Sequence, residues 1–234
     1  MSKTNFVLFD KSKSNHKNGN ILIGDEIIQS VECFKFLGIL IDEKLSWHKH
    51  IEHCRKQIAC GVYALNMAKN YLAQSNLRQL YYTLINPHLL YGNILWGSAY
   101  KSQLHKLENQ QKKAIRSITN SKYNEHTSPL FKSLNILKVQ DMHEIELAKL
   151  AFMHQNNSLP RPLLNIYNQN YHVHSHKTRQ QMDLHMNKIH NDVVFRSFVY
   201  KGPRVWSKLP NEIKVSNDSK CLGSRLRKLV ICKY

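Results

Sequence analysis

Two long segments of the chain place apolar residues at steps of three and four, the spacing of one face of an α-helix. In the first segment this face is formed by Ile51, Cys54, Ile58, Val62, Leu65 and Ala68. In the second segment it is formed by Leu104, Leu107, Gln111, Ala114, Ile115 and Ile118. Each segment is predicted to be an amphipathic helix that buries this face against other helices.

Short strands are predicted ahead of these helices. The runs 5–9, 21–28 and 34–41 are rich in β-forming residues. Within 21–28, the sequence Gly24-Asp25-Glu26 is typical of a tight turn, so this run is predicted to be a hairpin. The run 34–41 is predicted to be a strand, and the polar stretch 10–20 a loop.

Further helices are predicted from capping residues, periodicity and proline. Ser46 and Ser75 are predicted to cap the first two helices, Pro87 to end or kink the second, and Ser102 to precede the third. A fourth helix is predicted over 139–154 and a last one over 220–231, with a turn at Gly202-Pro203 between them.

These elements predict an α+β fold, with strands first and helices after them. A small N-terminal β-hairpin region is followed by a mainly helical bundle and a basic, mixed C-terminal region. The predicted boundaries are 1–46 for the first, 47–154 for the bundle, 155–178 for a polar connection, and 179–234 for the last.

The charge of the chain points to a polyanionic partner. Its 234 residues include 34 Lys and Arg against 16 Asp and Glu, a formal net charge of +18. The segment 171–234 alone holds 13 basic and 4 acidic residues, and the segment 101–122 holds six basic residues and one acid. Nucleic acid is the commonest partner of a protein this basic.

Other partners and compartments are less compatible with the composition. No apolar run approaches the roughly 18 residues of a membrane-spanning helix, so no membrane partner is expected. Five cysteines without a close pair argue against a disulfide framework and against a four-cysteine zinc site. An intracellular location, in the nucleus or cytoplasm, is therefore predicted.

The acids do not form the carboxylate cluster that holds two metal ions in polymerases and nucleases. No Asp-Asp pair occurs, and the adjacent acids Asp25-Glu26 and Asp42-Glu43 are interpreted as solvated turn residues. No phosphate-binding glycine loop and no local nucleophile signature is present. No catalytic residue is assigned.

Histidine spacing leaves a metal site open without requiring one. His50, His53 and Cys54 could share a helical face as zinc ligands, although Cys54 also fits the apolar stripe. The alternating residues His172, His174 and His176 fit either a solvated loop or one face of a strand. The structural interpretation is favoured for both groups, and no metal ligand is assigned.

The second amphipathic helix carries a face of one charge sign. With its apolar residues buried, Lys106, Lys112, Lys113 and Arg116 fall mainly on the exposed side. Such a face can follow a phosphate backbone and release counterions, or it can be an ordinary solvated lysine face. These four residues are the candidate nucleic-acid contacts that the charge pattern provides.

Several segments together resemble the reverse transcriptases of non-LTR (LINE-type) retrotransposons, the jockey-like elements in particular. The order and spacing of the segments carry the resemblance, which covers nearly the whole chain. The segments are 2–9, 36–47, 84–92 with Trp96-Gly97, 107–118 with Gln111-Lys-Lys-Ala-Ile-Arg116, 126–131, Thr178-Arg179 and 202–210.

The resemblance implies that the chain is the C-terminal part of such an enzyme. Lys3 and the strand after it resemble the fourth palm motif, and Phe36-Leu37-Gly38 resembles the primer grip, a hairpin that holds the primer end. The helices over 47–119 resemble the thumb, which lies along the template–primer duplex. The resemblance thus adds Lys3, Phe36, Leu37 and Gly38 to the candidate nucleic-acid contacts.

The same resemblance implies a truncated enzyme, because the fingers and the palm motifs that carry the catalytic aspartates have no counterpart here. The intact family enzyme is an RNA-directed DNA polymerase that uses magnesium, whereas no cofactor is expected in this chain. A nucleic-acid-binding remnant without activity of its own is favoured. The alternatives are a protein–protein interaction module derived from the thumb and a polymerase completed by a missing N-terminal palm.

One structural detail is expected at the predicted primer grip. Phe36-Leu37-Gly38 should form a tight hairpin element that Phe36 packs and that Gly38 permits, because glycine tolerates positive φ and close backbone approach.

Overall fold

A computed structural model of the chain describes residues 4–9, 21–24, 26–173, 181, 183–188 and 191–234. Several predictions concern residues outside these ranges: the contact residue Lys3, the loop 10–20, and His174 and His176 of the polar connection. The motif Thr178-Arg179 also lies outside them. None of the helices in the described part of the chain is both long and apolar enough to cross a membrane.

The strands form two small sheets at the N-terminal end. Strand β1 pairs in parallel with β3, and β2 pairs with β3 in the antiparallel hairpin that the Gly24 turn predicted. Strands β4 and β5 form a separate antiparallel pair. The strands are β1 (Asn5–Phe6), β2 (Ile21–Ile23), β3 (Glu26–Ser30), β4 (Cys33–Phe36) and β5 (Ile39–Asp42).

Helices follow the strands, so the predicted α+β fold is confirmed. A short 3₁₀-helix also occurs at Arg161–Leu163. The α-helices are α1 (His48–Ala68), α2 (Gln74–Leu84), α3 (Asn86–Leu90), α4 (Asn93–Trp96), α5 (Lys101–Thr119), α6 (Thr127–Ser133), α7 (Val139–Gln155), α8 (Asn170–Val173), α9 (Asp192–Phe195), α10 (Phe198–Ser207), α11 (Asn211–Lys214) and α12 (Ser219–Cys232).

The predicted helix starts were wrong in detail. Helix α2 begins at Gln74 and α5 at Lys101, so Ser75 and Ser102 lie inside their helices and do not cap them. Helix α1 begins one residue later than Ser46 predicts, after Trp47 in the left-handed conformation. The Ser46 hydroxyl accepts a hydrogen bond of 3.3 Å from the His48 amide.

Helices α1 and α5 form the most extensive helix pair, and both amphipathic faces predicted from the sequence are buried or half-buried between them and their neighbours. Helix α7 packs against α5 on one side and against α10 and α12 on another. One hydrophobic core runs from Ile51 to Ile231. The bundle and the C-terminal helices therefore share a core, and the predicted domain boundaries stay a prediction.

The turn predicted at Gly202-Pro203 was wrong, because both residues lie inside α10. Tertiary packing explains the helical glycine. A Cβ atom at Gly202 would lie 2.0 Å from the hydroxyl of the buried Tyr167, which donates a hydrogen bond of 3.1 Å to the Phe198 carbonyl. Glycine is therefore needed here for close approach rather than for a turn.

Candidate nucleic-acid interface

The predicted strand 34–41 is in fact a hairpin. Phe36 pairs with Ile39, which leaves Leu37 and Gly38 as a two-residue loop. Both have positive φ, 46° and 86°, as a type I′ turn requires. A leucine in this region is uncommon, because its Cβ is crowded there. The expected tight hairpin is confirmed, and it continues directly into α1.

The tip of this hairpin is apolar and open to solvent. Phe36 is 58% exposed and Leu37 is 74% exposed. The Phe36 ring lies 6.4 Å from the Phe34 ring, so Phe36 packs the hairpin only in part. Tyr91 holds the turn instead, by donating a hydrogen bond from its hydroxyl to the Leu37 carbonyl. The Tyr91 ring also lies 3.4 Å from the position that a Cβ on Gly38 would take.

The segment that follows Tyr91 anchors the hairpin to the helical bundle. Gly92 has a φ of 61°, and a Cβ there would lie 2.5 Å from the Ile39 side chain. The buried Trp96 donates a hydrogen bond of 2.9 Å to the Tyr91 carbonyl. The resemblance included this segment, but it gave no indication that these residues position the hairpin tip.

A buried carboxylate orients the start of α1 below the hairpin. The Asp42 side chain accepts hydrogen bonds of 2.9 Å from the amides of Ser46 and Trp47. Asp42 is buried, so its interpretation as a solvated turn acid was wrong. Both amides precede the first residue of α1, so the carboxylate holds the turn that leads into the helix. Asp42 is thus a structural residue of the turn.

The four basic residues of α5 do not share one environment. Lys113 is exposed, whereas Lys106, Lys112 and Arg116 are half-buried. Lys106 lies close enough to Glu52 of α1 to contribute to lowering the pKa of that carboxyl, after the dominant hydrogen bond from Arg55. Lys112 is displaced from Lys113 by about 100° around the helix. Their roles as nucleic-acid contacts stay predictions.

An open groove of about 580 Å³ lies between α1 and α5, and residues of the loop after α5 also line it. Two of the four α5 cations, Lys113 and Arg116, line this groove together with Lys69 from the end of α1. The exposed rings of Tyr63 and Tyr123 also line it. Charge counting along the sequence did not find the two tyrosines or Lys69, because they come from other elements.

Arg116 has a structural role in addition to its position in the groove. Its Nε and Nη2 atoms donate hydrogen bonds of 3.1 and 2.8 Å to the carbonyl of Glu125, which ties the loop after α5 to the helix. A guanidinium has five N–H donors, so this carbonyl leaves three of them for other partners. Replacing Arg116 would therefore disturb the loop as well as remove a charge.

His50 and Cys54 use their polar atoms inside the fold. The Nδ1 atom of His50 accepts a long hydrogen bond of 3.4 Å from the Leu40 amide, and its Nε2 lies 3.5 Å from the Cys54 sulfur. Burial lowers the pKa of His50 to about 4, helped by the proximity of His53, and burial raises the pKa of Cys54 to about 11. His172 lies exposed in α8.

The described residues do not fit the two magnesium ions that the resemblance associates with the intact enzyme. No group of three or more His, Cys, Asp or Glu side chains within the described ranges is arranged to hold a metal ion. Asp42, the buried acid next to the hairpin, already accepts two backbone amides. No step through magnesium is therefore derived for this chain.

Comparisons with known proteins find relatives among retrotransposon polymerases. The chain is 27% identical over 143 residues to the probable RNA-directed DNA polymerase from transposon X-element of Drosophila melanogaster. This match covers 60% of this chain and 16% of that protein. It is 25% identical over 146 residues to the RNA-directed DNA polymerase from mobile element jockey of the same species. This match covers 61% of this chain and 16% of that protein.

A third relative, the probable RNA-directed DNA polymerase from transposon BS of Drosophila melanogaster, is 28% identical over 110 residues. No family model matches the chain, and no solved structure matches it. The chain is a reverse-transcriptase-related protein. More narrowly, its relatives are the polymerases of jockey-type non-LTR retrotransposons, and it spans about 16% of the length of the first two.

Proposed function

We propose that this chain is the nucleic-acid-binding part of a retrotransposon reverse transcriptase, a fragment that binds a template–primer duplex or RNA and lacks the catalytic aspartates. The observation that carries the proposal is the groove at α5, where Lys69, Lys113 and Arg116 converge and no acid is among the described lining residues. Such cations bind phosphates and release counterions. The relatives' polymerase names support the same ligand. A location in the nucleus or cytoplasm is part of this proposal.

The hairpin tip is proposed as a second contact, equivalent to a primer grip. Phe36 and Leu37 present apolar surface on a short turn that Tyr91 holds from behind. Rigid apolar side chains can pack against the sugar and base at the end of a strand without forming ion pairs. Lys3, outside the described residues, stays a predicted contact of the same region.

The binding experiment replaces three lysines of α5 and keeps Arg116, because Arg116 also holds Glu125. Lys106, Lys112 and Lys113 changed together to Gln should leave the helix intact, since Gln and Lys have similar helix propensities. Binding of a short RNA–DNA hybrid is measured against salt concentration. If all three contact phosphates, the slope of log affinity against log salt should become shallower by roughly two to three units.

The same titration separates this function from a protein–protein module. A parent protein whose affinity for the hybrid does not fall with added salt would contradict phosphate binding and would favour an apolar interface. A triple variant that retains both the affinity and the slope of the parent would show that these lysines are only solvated.

The hairpin is tested with two neighbouring substitutions. Leu37→Asn should keep or improve folding, because Asn tolerates positive φ, and it should weaken binding to a primer–template by removing apolar surface. Gly38→Val should lower the melting temperature, because valine is strained at a φ of 86°. If Leu37→Asn binds primer–template as well as the parent does, the tip is not a primer contact.

We also expect no template-dependent primer extension by this chain alone. Its sequence contains no Asp-Asp pair, and phosphoryl transfer without held metal ions loses its main charge stabilisation. The assay uses purified protein with magnesium and then with manganese. Clear extension that depends on the template would overturn this expectation.

A further inference from the structure

The groove between α1 and α5 brings together aromatic rings and cations, two features that sequence spacing does not connect. Tyr63 lies on α1 and is 67% exposed, and Tyr123 lies on the loop after α5 and is 91% exposed. Lys69, Lys113 and Arg116 line the same groove. Large aromatic rings left in water beside positive charges are typical of surfaces that receive a ligand with flat rings and negative groups.

The exposed rings distinguish between a paired and an unpaired nucleic acid. In a double helix both faces of each base are covered by neighbouring base pairs, so a tyrosine can stack only on a base that is unpaired and splayed out. Phosphate contacts alone would need cations but no aromatic rings. The two tyrosines therefore favour an unpaired strand, a preference that the cations do not explain.

The size and the lining of the groove fit the same ligand. A space of about 580 Å³ belongs to the size class of small-ligand pockets, which is enough for a base and its sugar. Asn66, Gln110, Ser117 and Ser121 line it as well and offer uncharged hydrogen-bonding groups. The Glu125 carbonyl fixes Arg116 in place and leaves three of its N–H donors for phosphate.

We infer that this groove binds single-stranded nucleic acid, with unpaired bases stacked on Tyr63 and Tyr123 and the backbone phosphates against Lys69, Lys113 and Arg116. The inference rests on the proposed function and adds to it that the ligand at this site is unpaired.

The experiment compares two single-stranded DNA oligonucleotides of 12 nucleotides that carry the same phosphates. One has all its bases, and the other has abasic sites at its four central positions. The parent protein should bind the intact strand more tightly, by roughly 5-fold or more for each base that stacks. The preference should be insensitive to salt, because the two ligands have equal charge.

Tyr63→Leu combined with Tyr123→Leu should abolish the preference for the intact strand and leave binding of an RNA–DNA hybrid unchanged. Tyr71→Leu is the matched control, because Tyr71 is 86% exposed but does not line the groove. The single variant Tyr123→Leu should reduce the preference for the intact strand. Because the Tyr123 ring makes little contact with the rest of the protein, this variant should fold normally even if the double variant does not.

The outcomes separate this inference from the proposed function. Equal affinity of the parent for intact and abasic strands, with salt-dependent hybrid binding retained, would overturn the single-strand site alone. A preference that survives in the double variant, or that Tyr71→Leu removes equally, would also overturn it. If the parent binds none of these nucleic acids, both the inference and the proposed function are wrong.

Discussion

The C-terminal helix α12 and the α1–α5 groove are both basic, yet they use their charges differently. Arg227 donates from Nη2 to the Tyr82 hydroxyl at 2.9 Å and also to the Asn135 carbonyl, and Arg225 donates to the carbonyls of Glu212 and Val215. By contrast, the side chains of Lys69 and Lys113 make no hydrogen bond or ion pair with described residues.

This difference shows that net charge along a sequence does not locate a binding surface. The planar guanidinium of an arginine holds several acceptors in a fixed geometry, so α12 uses its arginines to fasten the last helix to the bundle. The lysine ammonium groups in the groove keep their donors available to a ligand. The following predictions test this contrast, from the largest expected effect to the smallest.

The largest effect is expected where the C-terminal region packs most tightly. Gly202→Ala should destabilise the fold by about 3 kcal/mol, because the new methyl group overlaps the hydroxyl of the buried Tyr167. Urea unfolding measures this. The matched control is Gly223→Ala in α12, where the nearest atom is the flexible end of Lys149, so its cost should be below about 0.5 kcal/mol. An equal loss of unfolding free energy in the two variants would contradict the close packing of Tyr167 against Gly202.

Acid should destabilise the fold through His143, a buried residue of α7 whose Nδ1 lies 3.0 Å from the Asn93 carbonyl oxygen. Burial lowers the pKa of His143 to about 4, and the positive charge of Lys201 adds to the effect. The unfolded chain binds a proton near pH 6.5 and the folded chain does not, so His143 contributes full stability above pH 6.5 and loses it as pH falls towards 4. The loss amounts to about 3 kcal/mol.

The contribution of His143 is measured as a difference between variants. Partial desolvation and the neighbouring Asp141 carboxylate raise the pKa of Glu144, which acts in the opposite direction, so the parent alone does not isolate the histidine. His143→Gln should flatten the dependence of stability on pH between 6.5 and 4, and His126→Gln, at an exposed position, is the control. Identical pH profiles for the parent and His143→Gln would rule out a proton-linked role for this residue.

Removing the hydrogen bonds of Arg227 should lower the stability of the fold without weakening the binding of an RNA–DNA hybrid. Arg227→Gln should destabilise the fold by about 2 kcal/mol, because the Tyr82 hydroxyl and the Asn135 carbonyl lose a charged donor. The salt slope for hybrid binding should stay that of the parent. Lys228→Gln, on the exposed neighbour, should change stability little. A larger loss of affinity than of stability would place α12 in the binding surface.

The smallest effect distinguishes two adjacent lysines of α5. For hybrid binding, Lys113→Gln should make the slope of log affinity against log salt shallower by about 0.7 to 0.9. Lys112 does not line the groove, so Lys112→Gln should change this slope less. Both variants should unfold within about 0.5 kcal/mol of the parent. Equal slopes for the two variants would show that the groove is not the preferred phosphate site.

Much of the helical structure could be predicted because its signals are local. The apolar spacing over 51–68 and 104–118 fixed two helices, and the predicted helix 139–154 matches α7 within one residue. The helix predicted over 220–231 matches α12 within one residue at each end. Periodicity works here because an amphipathic helix buries one face wherever its partner lies.

Two features that local signals did not predict depend on partners distant in the sequence. Leu37 adopts positive φ in a hairpin turn that Tyr91 holds, and Gly202 lies in a helix that approaches Tyr167 too closely for a side chain. Neither Tyr91 nor Tyr167 is near its partner along the chain. Local turn and capping preferences therefore could not decide these positions.

The sequence by itself determined an α+β chain with two amphipathic helices, a strongly basic character and a relationship to retrotransposon polymerases. Only the tertiary structure decided which charges are available to a ligand. It brought Tyr63 of α1, Lys69 after the end of α1 and Lys113 of α5 into one groove, and it bound Arg227 to a carbonyl 92 residues away. Charge is a property of each residue, whereas its availability depends on what the fold places beside it.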